Sequence, residues 1–125
     1  MDYLEKFNAT FNEFIDDLIK LFPLDADLRM YKNILLTTLC VDDKVLVNLF
    51  QDSVVDKYGP QLLAKDETFF LNNDYSEYTI NEEYHAIINK IRSYWTTMNE
   101  ENRNIIWKYF KVLILLSKKL LFKDY

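Results

Sequence analysis

The chain has 125 residues, half of them hydrophobic and 16% aromatic, with a formal net charge of −5 at pH 7. That composition excludes a disordered chain, and the negative balance disfavours a general nucleic-acid-binding surface. A single Gly and two Pro are too few for a β-rich fold joined by tight turns, whereas long helices with plain connections tolerate the scarcity.

The first predicted helix is DYLEKFNATFNEFIDDLIKLF, residues 2–22. Leu4, Phe7, Phe11, Phe14, Leu18 and Leu21 recur at alternating spacings of three and four. With Ile15 and Phe22 they form one apolar stripe, from which Glu5, Glu13, Asp16 and Lys20 face away. Pro23 ends the helix. Asp25 or Asp27 then caps a second helix reaching about Leu39, with Leu28, Tyr31, Leu35 and Leu39 inward. Asp42 is placed to cap a third, in which Val45, Leu46, Leu49, Phe50 and Val54 repeat at helical spacing. YGP at 58–60 is the strongest breaker in the chain. A helical turn, QLLAK, follows it, and DETFFL offers another start with Asp66 as cap.

NNDYSEYT, residues 72–79, reads as the one clear loop. Thr79 and Glu82 have capping-box spacing for a helix running to about Met98. Ile80, Tyr84, Ile87, Ile88, Ile91, Trp95 and Met98 share one side of it, and Glu83, His85, Asn89 and Arg92 lie off that side. Asn99 caps the last helix, with Glu100 and Glu101 near its positive end.

In that last helix the apolar run WKYFKVLILLSKKLLF is broken by Lys108, Lys111, Lys118 and Lys119, far short of the ~20 apolar residues a membrane span needs. Ile105, Ile106, Tyr109, Phe110, Leu113, Leu116 and Leu120 fill a wide opposite arc, flanked by Trp107, Val112 and Ile114. So wide an arc suits a helix contacted from several sides, and Leu115 falls among the lysines. The expected fold is an all-α bundle of five or six helices in one domain over 1–125, with the C-terminal helix central.

Catalytic patterns are missing from the sequence. Paired carboxylates at 16/17, 42/43, 82/83 and 100/101 could serve acid–base or metal chemistry. Three of the pairs sit at predicted helix starts, where the macrodipole favours negative charge. Glu13, Asp16 and Asp17 share a face, as a weak divalent site or a solvated surface. His85 is the single histidine, and Cys40, the single cysteine, reads as a small core residue. One cysteine permits no intramolecular disulfide and suits a reducing compartment. Gly-rich phosphate loops and zinc spacings are lacking, so no cofactor and no metal are expected. MDYLEKFNATF carries early acids and no apolar stretch of the signal-peptide kind.

Two surfaces remain as candidates. Phe69, Phe70, Tyr75 and Tyr78 surround the loop as partner-contact residues, because tyrosines among Ser and Asn offer large contact area at low entropic cost; the alternative is that these rings fold back onto the bundle. The lysine face Lys108, Lys111, Lys118 and Lys119 suits an acidic partner, phosphate or an anionic membrane, or is a solvated face complementing the helix C-terminus.

Three stretches, FNEFIDDLIKLFPLDADLRMYK, YGPQLLAKDETFFLNNDYSEY and IINKIRSYWTTMNEENRNIIWKYFKVLILLSKK, together resemble small proteins encoded by large nucleocytoplasmic DNA viruses of algae and protists. Residue usage tilted toward Asn, Lys, Ile, Tyr and Phe tracks A/T-rich codons and agrees with it. The resemblance implies an infected host cell, in cytoplasm, viral factory or virion. It supplies no activity and no site residues. The expected function is therefore a non-enzymatic protein-interaction module binding a viral or host protein, with a nucleic-acid-associated factor using the lysine face as the alternative.

Overall fold

The computed structural model describes residues 2–51, 56–72 and 90–121. Every regular element among them is helical: α1 (Tyr3–Leu21), α2 (Ala26–Val41), α3 (Val45–Phe50), α4 (Asp56–Leu63), α5 (Glu67–Asn72), a helical stretch over residues 90–95, and α6 (Glu100–Leu121). The protein is an all-α bundle.

Local chemistry sets most helix ends. Asp2 caps α1 by accepting the Glu5 N–H at 2.8 Å, and the stripe of Phe7, Phe11, Phe14, Ile15 and Leu18 is buried. Of the two candidate caps for α2, Asp25 takes the role, accepting from the Asp27 N–H at 3.0 Å. Asn99 caps α6 through the Asn102 N–H at 2.8 Å, satisfying one of the donors a helix start leaves open. Asp42 lies further back than expected. Its carboxylate accepts from Lys44 N–H at 3.0 Å and closes a turn, so α3 begins at Val45 without a side-chain cap.

YGP does not break the chain as expected: Gly59 and Pro60 lie inside α4. A proline clashes with the Cβ of the residue before it, and Gly59 has none. The helix continues through the proline carbonyl, which accepts the Ala64 N–H at 3.0 Å. Its end is made two residues later. Lys65 adopts a left-handed φ of 57°; its N–H bonds to the Leu62 carbonyl at 3.1 Å, and the Asp66 N–H bonds to that of Gln61 at 3.0 Å. This pair of bonds is the Schellman arrangement, in which a residue outside the helix closes its last carbonyls.

α6 makes its most extensive contact with α1 and packs also on α4. Lys119 lies over the Tyr3 ring, while Tyr109 meets Phe14 and Asp17, so α1 and α6 run antiparallel. Phe110 and Trp107 meet Phe70 of α5, and Phe70 and Trp107 both meet Trp95 of the 90–95 stretch. Gln51, just past α3, donates to the buried Ser117 carbonyl at 2.8 Å. The C-terminal helix is thus central. Its buried arc is Ile106, Trp107, Phe110, Leu113, Ile114, Ser117 and Leu120. Ile105, expected inward, is exposed, and the expected flanks Trp107 and Ile114 are core. The core centre lies between Phe110 and Ser117, further round than the apolar pattern indicates.

Two further expectations are corrected. Cys40 is exposed, because it follows Leu39 by one residue, roughly 100° round the helix, away from buried Leu35 and Leu28. Met98 is buried but stands in a bend past the helical stretch, which ends at Trp95.

Two stability outcomes follow from this packing. Phe70→Ala removes a ring only 1% exposed and is expected to cost about 3–5 kcal/mol, read as a lower urea midpoint. Lys65→Gly relieves a left-handed residue, worth roughly 1–2 kcal/mol before glycine's entropic cost, so a gain of about 0.5–1 kcal/mol is expected in the same assay.

Candidate functional site

The partner-contact residues expected around the loop fare differently. Phe70 is in the core, edge-on to Trp95 at 5.1 Å, Trp107 at 5.8 Å and Phe110 at 5.8 Å; it takes the folded-back alternative and offers nothing to a partner. Tyr75 and Tyr78 lie outside the described residues, as do the Phe69 side chain, His85 and the Thr79–Glu82 capping box.

Three polar clusters join helices. In the first, the Asp25 carboxylate, 6% exposed, accepts from Tyr94 Oη at 2.5 Å and from Lys90 Nζ at 3.0 Å, and Lys90 also reaches Asp27 at 3.2 Å. Burial pushes the Asp25 carboxyl up, but the bonds from Tyr94 and Lys90 outweigh it and hold the group below the ordinary value. Its bond to Asp25 raises Lys90 against the pull of burial, with Asp27 adding to it. Tyr94, stacked on Phe22 at 3.9 Å, holds its proton more tightly than usual, first because it donates to Asp25. All three groups are stabilised in their ordinary charge states, and together they tie the start of α2 to the 90–95 stretch.

In the second, Trp95 is fully buried and its indole N–H needs an acceptor. Glu67 Oε1 supplies it at 2.9 Å. Arg103 completes the knot: its Nε donates to the Trp95 carbonyl at 2.9 Å, its guanidinium lies 5.7 Å from the indole, and Nη1 stands 3.8 Å from Glu67.

The third involves the acids of α1. Asp17 accepts from the Tyr109 hydroxyl, and Asp16, expected to face away, accepts from Lys32 of α2 at 2.5 Å. Burial first, then the Asp17 bond and the charges of Asp17, Glu13 and Asp16, raise the Tyr109 phenol. The Glu13–Asp16–Asp17 set is thereby divided between two neighbours. Among the described residues no group of three or more His, Cys, Asp or Glu is placed to hold a metal ion.

Beside this third cluster, an open groove of about 340 Å³ between α1 and α6 is lined by Thr10, Glu13, Ile105, Lys108, Tyr109 and Val112. The outward face of α6 continues from it. Lys108, Lys111 and Lys119 are exposed and Lys118 half-buried. Among the described residues none of the four forms an ion pair, and Lys119 instead sits 5.3 Å from the Tyr3 ring centre. Interleaved with them are Ile105, Val112 and Leu115, exposed by 37%, 43% and 44%. The signal for Leu115 was its place among the lysines; nothing in the sequence placed Ile105 and Val112 outside the core. Among the described residues no helix is long and apolar enough to cross a membrane.

Compared with family models, curated proteins and solved structures, the chain matches none.

The Asp25 cluster has a pH signature. A carboxylate held below its ordinary value of 3.8 contributes stability well above that pH and loses it as the pH falls through the folded value. Wild type should therefore exceed Asp25→Asn in urea midpoint near neutrality, and the gap should narrow steadily below about pH 4.

Proposed function

We propose that this protein is a non-enzymatic protein-interaction module, a viral structural or accessory protein that binds a viral or host protein through the outward face of α6. The observation that carries the reading is the coexistence on that face of exposed Ile105, Val112 and Leu115 with lysines that find no carboxylate among the described residues. Apolar groups ringed by charge are what a protein contact uses: the former supply desolvation and the latter orientation. The charged clusters elsewhere support it indirectly, because each holds helices together. The viral assignment rests on the resemblance of the three stretches named above, and with it go the cytoplasm of an infected cell, a viral factory or the virion.

The test is affinity capture from the native cell with mass spectrometry of what is retained. Val112→Asp with Leu115→Asp changes only exposed positions, where substitutions stay within about 0.5 kcal/mol. The melting temperature should barely move while the captured protein is lost. Capture that survives the double variant removes this face from the reading. Retention of DNA or RNA that falls steeply with salt, and that Lys108→Glu with Lys111→Glu abolishes, supports the nucleic-acid-associated alternative instead.

A further inference from the structure

We propose that the α1–α6 groove seats one amphipathic helix of a partner, its apolar stripe flanked on one side by acidic residues. The inference deepens the interaction-module reading and rests on it.

The spacing on α6 comes first. Ile105, Tyr109, Val112 and Leu116 follow one another at four, three and four residues, the interval at which one helix lays a seam against another. Ile105 and Val112 are exposed, and Tyr109 and Leu116 half-buried. α6 therefore carries two apolar stripes. One runs through Phe110, Leu113 and Ser117 into the core; the other borders the groove beside α1. Tyr109 and Leu116 also pack against the core, Tyr109 on Phe14, and the core leaves Ile105 and Val112 of the second stripe exposed.

The second observation is the distribution of charge across the groove. The outer lip belongs to α6 and is basic: Lys108 lines the groove, Lys119 follows three turns on along the same flank of the second stripe, over the Tyr3 ring, and no acidic residue occurs from Asn102 to Leu121. The inner lip belongs to α1 and carries Glu13, with Asp17 bound to Tyr109 behind it. An anionic bilayer or a nucleic-acid backbone presents one sign across its whole width, and would meet repulsion at Glu13. A helix presents different residues on its two flanks, so it can set acids against Lys108 and Lys119 while a neutral or basic residue faces Glu13. Anchors at i, i+3, i+4 and i+7 laid into such a groove are an established mode of recognition, and opposed flanking charges select partner and orientation.

The experiment uses the full chain and defined probes. One designed helical peptide carries Leu at its seam positions, Glu along one flank and Gln along the other; a second carries Lys in place of Glu. Each is titrated calorimetrically, alongside phosphatidylserine–phosphatidylcholine vesicles and a DNA duplex. The Glu-flanked peptide should bind, more weakly as salt rises, and lose roughly tenfold in affinity on Lys108→Glu with Lys119→Glu. The Lys-flanked peptide should prefer that charge-reversed variant over wild type, an exchange that misfolding cannot produce. Equal binding of both peptides, binding of neither, or vesicles or duplex bound where both peptides are ignored overturns the proposal. The capture experiment with Val112→Asp and Leu115→Asp reads the interaction-module assignment separately: a cellular protein lost in that variant, with no peptide preference for charge, keeps the module and removes the acidic helix.

Discussion

A helix whose buried arc runs from Ile106 through Phe110, Leu113, Ile114 and Ser117 to Leu120 cannot be covered by one neighbour. A surface helix buries a stripe little more than a quarter of its circumference; α6 buries well beyond that. α1 covers one side with Phe14, which stacks on Tyr109 at 4.9 Å and meets Phe110 edge-on at 5.9 Å. The other side is covered by rings from short elements, Phe70 of α5 and Trp95 from the 90–95 stretch, in a cluster with Trp107 and Phe110. Short helices suffice there because aromatic side chains bring large area from few backbone positions. The end of α3 then closes on Ser117 through Gln51, whose buried side-chain amide donates to the Ser117 carbonyl at 2.8 Å.

What was legible in the sequence follows from which features are local. Caps at Asp25 and Asn99 depend on one side chain and a few neighbouring N–H groups, and the α1 stripe depends on spacing alone, so both were readable. Whether YGP stops a helix depends on the clash at the residue before proline, and a glycine there changes the outcome; the breaker rule takes no account of it. The aim of Cys40 depends on which side of α2 meets α1. In α6 the apolar circumference is so wide that the pattern permits several core directions, and Ile105 and Trp107 exchanged roles for that reason. The groove was invisible in one dimension, since Glu13 and Lys108 meet only through the antiparallel packing of α1 on α6.

The charged residues divide into two populations by the same geometry. Asp16, Asp17, Asp25 and Glu67 each accept from a residue on another helix or stretch. They sit where helices cross, and the shifts at Asp25, Lys90 and Tyr109 keep their ordinary charge states. Each such contact ties one helix or stretch to another at a defined point. The lysines of α6 form the second population. A chain of net charge −5 has acids to spare, yet among the described residues none forms an ion pair with those lysines, although Glu13 lines the same groove as Lys108. A face left basic in an acidic protein attracts an opposite field from outside the molecule.

Exposure alone does not single out α6. Leu24 in the turn before α2 is 97% exposed and Val41 at the end of α2 is 86% exposed, both above anything on α6. Isolated exposed apolar residues are ordinary on a protein surface. Leu24 and Val41 stand at opposite ends of α2. Met30 and Val41 share a side of α2 but stand eleven residues apart with Asn33 and Thr37 between them, and Leu36 lies about 120° round the helix, so the three make no continuous line. On α6 the exposed groups are less extreme but continue one line with half-buried Tyr109 and Leu116, bordered by one sign of charge on one side and Glu13 on the other. Recognition requires many weak contacts made at once in a single orientation, and a line with unlike flanks defines an orientation where a lone leucine does not.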